Sequence, residues 1–255
     1  MKKYIKSSAI KIIIILLLFS NKVISEESFQ SNQLSAGIIT GVKSSLYKSQ
    51  KKDLFIFPII QFSYKNLYLK GTELGIKINK KPMLIYFDYI MNGYKSNDIF
   101  FLNGMKDRKN SIHLGIQYDC HLKEYNFSVT PKISFDISNR NKGFIFGLDS
   151  TKIIFLNKKS ILIPQISINY LNSEFANYYY GVEQGEMSTY RNNYKVPGVF
   201  IPSLSLIYSY NITNKLSCNI LSGFEYLTDK ISNSPIIDTK CTIKLMFNIN
   251  YVLFK

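Results

Sequence analysis

The two histidines of this chain are the side chains best suited to proton transfer or metal binding. His113 and His121 lie in one stretch in which polar and apolar residues alternate, a pattern typical of a half-buried β-strand. They are eight residues apart, which is about 27 Å along an extended strand. This separation excludes a metal ion or an acid–base pair shared by these two alone. We interpret both as polar residues on the inward face of a strand.

Charged residues occupy polar positions in the same stretch and in the next one. They are Asp119, Glu124, Lys132 and Asp136. On neighbouring inward faces such residues would form a charge network, which in a small barrel more often fills or tunes the interior than catalyses a reaction.

A further charged group lies in a long connecting segment and consists of Glu183, Glu186 and Arg191. We interpret it as part of a solvated loop, with a ligand contact as the alternative. The three cysteines (Cys120, Cys218 and Cys241) have no metal-ligand spacing. The sequence contains no phosphate-binding loop, nucleophile motif or zinc spacing. We therefore expect no catalytic residue, no cofactor and no metal site.

The elements that carry these residues are long strands with one apolar and one polar face. From Tyr125 to Ile137 every second residue is apolar or proline, and Cys241–Phe254 repeats the alternation at the end of the chain. Soluble strands are usually about 5–6 residues long, whereas a tilted strand that crosses a membrane needs about 9–11. The pattern predicts an all-β fold, a transmembrane antiparallel up-and-down β-barrel, with Cys241–Phe254 as its closing strand.

Eleven alternating segments can be counted, but bacterial single-chain barrels have an even number of strands. We predict 12 strands, with 10 as the alternative, and place the miscount in the first two segments. Pro58, in the second, predicts a bulge or bend. Three long connectors, at 93–110, 173–199 and 227–239, are separated by even numbers of strands and should emerge on one side, the outer one. No helical pattern of useful length is found.

The N-terminus has the features of a secretory signal peptide. Four lysines precede the apolar run Ile12–Phe19, and small or medium residues end at Ser25. We predict a signal peptide over 1–25 and a mature barrel over 26–255. Removal of five lysines and no acids lowers the net charge from +15 to about +10. The remaining lysines are scattered, which argues against nucleic acid and is compatible with anionic lipid headgroups or an anionic polymer.

Two motifs lie within the second and third long connectors. Tyr178-Tyr179-Tyr180-Gly181-Val182 begins the second, and Ser234-Pro235-Ile236-Ile237 precedes the final strand. Gly181 predicts a backbone turn open only to glycine, and Ser234-Pro235 predicts a rigid return into the strand. With Leu102–Asp107 in the first connector, these motifs resemble the MltA-interacting protein (MipA/OmpV) family of Gram-negative outer-membrane proteins.

The resemblance implies an outer-membrane barrel that does not act as an enzyme. It also implies a scaffold that joins a lytic transglycosylase to a murein synthase, or alternatively a passive porin or an adhesin. The motif positions that it singles out are Tyr179, Tyr180, Gly181, Val182, Ser234 and Pro235. We expect contact with outer-membrane lipids and a location in the outer membrane. Tyrosines near strand ends, Tyr47 among them, are expected in the interfacial belt.

Overall fold

A computed structural model describes residues 32–50, 53–79 and 81–254 of the chain. The predicted signal peptide lies outside the described residues and stays a prediction. The described part forms one antiparallel sheet that closes on itself. Its strands are β1 Gln33–Lys43, β2 Asp53–Tyr64, β3 Leu67–Lys70, β4 Glu73–Lys77, β5 Met83–Ile90, β6 Ser111–Tyr118 with its continuation Cys120–Leu122, β7 Phe127–Asp136, β8 Phe144–Lys152 with its continuation Ile154–Phe155, β9 Ser160–Leu171, β10 Val199–Asn211, β11 Leu216–Tyr226 and β12 Cys241–Phe254.

The predicted 12-stranded barrel is confirmed, and β12 is its closing strand. β12 pairs with β11 on one side and with β1 on the other, in register from Lys43 opposite Lys244 to Ser35 opposite Val252. The apolar phase of β12, including Ile243 and Leu245, is exposed on the outside of the barrel. An exposed apolar face on every long strand is what a wall in contact with lipid requires.

The inner face of the wall is packed by large side chains that cross glycines of neighbouring strands. Tyr68 lies over Gly75, and a Cβ atom on Gly115 would come within 2.5 Å of the Tyr86 ring. The aliphatic stem of Lys132 covers Gly147 in the same way. These glycines are needed because the neighbouring side chain occupies the space of a Cβ atom.

The miscounted strand lies in the third segment, so its predicted position in the first two was wrong. The stretch from Leu67 to Asn79 is divided by a tight turn at Gly71 and Thr72, where Gly71 has a φ of +63°. This left-handed conformation suits glycine. The resulting strands β3 and β4 have only four and five residues.

The predicted bulge at Pro58 was also wrong. β2 stays in register with β1 past Pro58, which lies opposite Ile38. On its other side β2 pairs with β3 only at Phe62–Tyr64. Proline is tolerated because this part of β2 is an edge that has no ladder to lose.

The expectation of no helix was wrong for the long connectors. Helix α1 spans Ser173–Tyr180 and helix α2 spans Asp229–Ser232. The Asn172 side chain caps α1 by accepting a hydrogen bond from the Phe175 amide. The helix buries Phe175, Ala176, Tyr179 and Tyr180 on one face, which short helices need for stability. None of the helices among the described residues is long and apolar enough to cross a membrane.

Candidate functional site

The loops at one end of the barrel fold together into a compact structure that we call the cap. It consists of the segments 44–50, 91–110, 172–198 and 227–240, so the prediction that the three long connectors share one side is confirmed. The cap has a continuous apolar core with the adjoining strand ends. Its buried members are Tyr47, Tyr94, Ile99, Leu102, Met105, Leu171, Phe175, Ala176, Tyr179, Tyr180, Val182, Val196, Val199, Ile201, Leu227, Ile231, Ile236 and Ile237.

Helix α1 lies inside the mouth of the barrel. The Tyr179 hydroxyl donates to the carbonyl of Lys109 at 3.1 Å and lies 3.2 Å from the Ser111 hydroxyl. Ser111 begins β6 on its inward face, and the next inward residue, His113, meets the ring of Phe175 edge-on at 5.8 Å. The helix therefore packs against the wall from within.

The two family motifs contact each other in the cap. The Ser234 hydroxyl donates to the carbonyl of Tyr180 at 2.6 Å, fully buried. Pro235 is half-buried and leads into Ile236 and Ile237, both in the core. Five of the six predicted motif positions are buried: Tyr179, Tyr180, Gly181, Val182 and Ser234.

The reason for glycine at position 181 differs from the predicted one. Its φ is −84°, which any residue can adopt. A Cβ atom there would lie 2.7 Å from the Asn177 carbonyl oxygen, which accepts the Gly181 amide at 2.9 Å. Close approach to the last turn of α1, and not an unusual turn, selects glycine.

A buried ion pair links the first and second long connectors. Arg108 and Glu186 are 2.7 Å apart, with side chains only 3% and 2% exposed. Arg108 also donates to the Tyr178 carbonyl at 2.6 Å, and Glu186 accepts from the amides of Lys106 and Glu183. The polar atoms of both side chains are thus satisfied, as buried charges require.

The interpretation of the second connector as a solvated loop was wrong for two of its three charged residues. Glu186 and Arg191 are buried, and only Glu183 is exposed. Arg191 donates to the carbonyls of Phe101 and Asn103 in the first connector. These contacts hold the two connectors together.

Burial and hydrogen bonding fix the protonation states in the cap. Burial alone would raise the pKa of Glu186, but hydrogen bonds from Arg108 and two backbone amides lower it below its ordinary value. Burial raises the pKa of Tyr94 to about 12, and burial also raises the pKa of Tyr47 well above its ordinary value. At neutral pH Glu186 is therefore ionised and both tyrosines are neutral.

Tyr47 and Arg108 were missed as members of this site. Tyr47 was expected in the interfacial belt, but its ring is 4% exposed and its hydroxyl donates to the Tyr179 carbonyl at 3.2 Å. Arg108 immediately follows the Leu102–Asp107 motif, which is the one signal that could have indicated it.

The two histidines do not come together. His113 is buried near Asn141 and Ser134, while His121 is exposed towards the opposite end of the same strand. Among the described residues no group of three His, Cys, Asp or Glu side chains could hold a metal ion.

A polar cavity of about 250 Å³ lies in the lumen beneath the cap. It is lined by two ion pairs, Lys132 with Asp149 at 2.7 Å and Lys244 with Glu225 at 3.7 Å. Lys132 was predicted to join a lumen network, but its partner is Asp149. Other members of the predicted network lie elsewhere. Asp136 accepts amides of the turn after β7, Asp119 accepts from Thr130, and Glu124 is exposed.

A closed antiparallel barrel with an apolar outer surface, a polar lumen and one capped end is an outer-membrane β-barrel protein. A model of the family described as MltA-interacting protein MipA matches residues 36–253. The chain belongs to this family, as its motifs predicted.

Curated relatives are outer-membrane proteins. Outer membrane protein Omp26La of Vibrio anguillarum is 30% identical over 146 residues, or 57% of this chain and 56% of that protein. The match to OmpV of Vibrio cholerae is similar, at 31% over 57% and 56%, so the aligned region covers little more than half of either protein. The MltA-interacting protein of Escherichia coli K12 is 24% identical over 226 residues, 86% of this chain and 90% of that one.

Solved structures add only a general likeness. The NanC porin has a TM-score of 0.40 and 7% identity over 86% of this chain and 98% of its own. A likeness this distant carries no argument about function. The curated relatives locate the chain in the outer membrane.

Proposed function

We propose that this protein is a non-enzymatic scaffold or binding protein of the outer membrane, linked to the machinery that synthesises and cleaves murein. The proposal draws on the name of the Escherichia coli relative, MltA-interacting protein. The observation that carries it is a ring of positive charge at the inner end of the barrel, where periplasmic proteins would dock.

This ring, the lysine collar, consists of exposed lysines on the short turns and strand ends opposite the cap. They are Lys65, Lys81, Lys152, Lys158, Lys159 and Lys215. None of the six forms an ion pair with a described residue. Glu124 is the one exposed acid among the described residues of these turns. A group of charges of mostly one sign attracts acidic partners and raises their rate of association.

The burial of the motif residues in the cap is a second argument for partner binding at the inner end of the barrel. The motif residues Tyr179, Tyr180, Gly181, Val182, Ser234 and Pro235 serve, in this proposal, to seat α1 in the outer mouth. All of these residues except the half-buried Pro235 are buried inside the cap, so they present little surface to a partner outside the cell. The partners expected at the collar are a lytic transglycosylase and a murein synthase.

A pull-down tests the proposal. The purified protein, in mild detergent, should retain a lytic transglycosylase and a murein synthase. The variant Lys158→Glu/Lys159→Glu/Lys215→Glu should lose most of this retention. The matched control Lys142→Glu/Lys195→Glu reverses charges at the outer end and should retain both. No retention by the unaltered protein would contradict the scaffold role.

A passive channel for small solutes is the alternative, and the polar cavity beneath the cap favours it. Ion pairs line that cavity, as in a water-filled lumen. Stable unitary conductance of the unaltered protein in planar bilayers, with no binding of either enzyme, would favour the channel. An adhesin would instead bind host surfaces through the cap.

A further inference from the structure

The barrel wall is incomplete at one place near its outer end. Residues Asp53–Gln61 of β2 pair with β1 on one side, and on the other side with no strand among the described residues. The neighbouring hairpin of β3 and β4 turns back at Gly71 and Thr72, well below the outer end of β2. Beyond the hairpin, β5 ends at Ile90. We call the gap between these three elements the notch.

The notch lies at a height where the wall faces lipid. Leu54, Ile56 and Ile60 point outwards along the free edge of β2, and Tyr89 of β5 points outwards on the far side. The free edge carries backbone N–H and C=O groups without a strand partner. In hydrocarbon such groups are costly, because no water is present to bind them. An occupant that is apolar and also offers polar atoms would relieve this cost.

Apolar side chains around the notch are unusually exposed. Phe100 is 80% exposed, Leu54 78% and Ile56 69%. These are the three highest values for large hydrophobic side chains among the described residues. Phe100 projects from the cap, and Leu54 and Ile56 from β2, so they offer contact area for acyl chains.

A groove of about 900 Å³ lies above the notch, between the 44–50 segment, the end of β5 and the 91–110 segment of the cap. Three exposed cations line it, namely Lys95, Lys109 and Arg140, and none forms an ion pair with a described residue. Arg108 also lines it but is neutralised by Glu186.

Two carboxylates lie in the same groove. Asp107 is bound by the amide and hydroxyl of Ser96, at 2.8 and 3.0 Å, and these hydrogen bonds lower its pKa. Asp98 is exposed. Three cations against two anions leave one positive charge in excess.

We propose that the notch and the groove bind a lipid of the surrounding outer leaflet that carries acyl chains and an anionic phosphate headgroup. The acyl chains pack on Leu54, Ile56 and Phe100. The phosphate oxygens accept hydrogen bonds from free amides of β2 and interact with Lys95, Lys109 and Arg140. This site is separate from the lysine collar and does not depend on the scaffold role.

A second copy of the chain is a less suitable occupant of the notch. Strand addition at a free edge uses a continuous row of backbone donors and acceptors. Pro58 interrupts that row in the middle of the free edge, because it has no N–H. Prolines on edge strands are a common means of preventing such pairing.

The absence of tryptophan from the sequence allows a site-specific test. Ile56→Trp places a single fluorophore at the notch, and Ile243→Trp places one on the outward face of β12, at a residue 57% exposed. Each variant is reconstituted in vesicles with brominated phosphatidylglycerol or brominated phosphatidylcholine, which quench tryptophan on contact. One excess charge corresponds to about a fivefold preference for the anionic lipid at the notch. The Ile243→Trp protein should be quenched equally by both lipids.

Charge reversal and free phosphate complete the test. Adding Lys95→Glu, Lys109→Glu and Arg140→Glu to Ile56→Trp should abolish the preference, whereas adding Lys142→Glu and Lys195→Glu should preserve it. Inorganic phosphate should not displace the lipid, and displacement would identify a free-anion site instead. Equal quenching of Ile56→Trp by both lipids would overturn the proposal. Protection of Ile56→Trp from both lipids, together with a dimer in native mass spectrometry, would assign the notch to a second copy.

Discussion

Replacing Glu186 with glutamine should loosen the cap without dissolving the barrel. The substitution keeps the shape of the side chain and its acceptor for the Lys106 amide, but it leaves the charge of Arg108 uncompensated. Both partners are buried, at 3% and 2% exposure. Removing one member of such a pair costs about 3–5 kcal/mol. Because the ladder of the wall does not involve either residue, this cost falls on the local opening of the cap.

Hydrogen exchange measures that opening. A loss of about 3–5 kcal/mol corresponds to exchange faster by roughly 10²–10⁴-fold for cap amides that exchange through local opening. The amides of Tyr94, Val182 and Tyr194, which donate to backbone carbonyls within the connectors of the cap, report this change. Amides in β12 should exchange as before. The matched control is Glu183→Gln, because the Lys106–Glu183 pair is exposed and should add little stability.

The pH dependence gives an independent check. The pKa of Glu186 is depressed in the folded cap, so its contribution is complete above its ordinary value of 4.5 and is lost as the pH falls through the folded value. Cap exchange in the unaltered protein should therefore gain an acid-induced component that Glu186→Gln lacks. Unchanged cap exchange in Glu186→Gln, at neutral and at acid pH, would refute the role assigned to the ion pair.

Other substitutions test the wall and the cap separately. Gly75→Ala places a Cβ atom in the space of the Tyr68 ring and should cost about 1–3 kcal/mol in urea unfolding, whereas Gly185→Ala meets no atom within 4 Å and should be close to neutral. Asn172→Ala removes the side chain that caps the N-terminus of helix α1. This change should cost about 1 kcal/mol, seen as faster hydrogen exchange in that helix. The outer-membrane fraction should show a band whose gel mobility shifts on heating, and a band that does not shift would contradict a barrel.

The wall was predictable from the sequence because lipid and lumen impose a period of two on long strands such as β7 and β12, although β2 is apolar in both phases. The predicted strand Cys241–Phe254 has the same bounds as β12, since every odd position from Cys241 to Leu253 is apolar. The same signal failed at Leu67–Asn79. The apolar phase changes from Leu67 and Leu69 to Leu74 and Ile76 across the turn at Gly71 and Thr72. The break was therefore visible, but strands of four and five residues are shorter than a strand that crosses a membrane usually needs.

The cap was less predictable because its stability comes from contacts between distant segments. Tyr47 and Tyr179 are 132 residues apart, and Arg108 and Glu186 are 78 apart. No local pattern indicates that Tyr47 turns inwards. The motifs marked part of the site, but only the fold shows that Ser234 binds the carbonyl of Tyr180.

The seam between β1 and β12 also determines the order in which the barrel can form. It joins residues 33–43 to residues 241–254, the two ends of the described chain. Contacts between such distant residues form slowly, because a very long loop must be ordered before they are made. Until the last strand has been synthesised, exported and brought to the first, both edges of the sheet stay open to wrong partners. A chain with this topology is therefore exposed to wrong pairing until the fourteen residues of β12 reach β1.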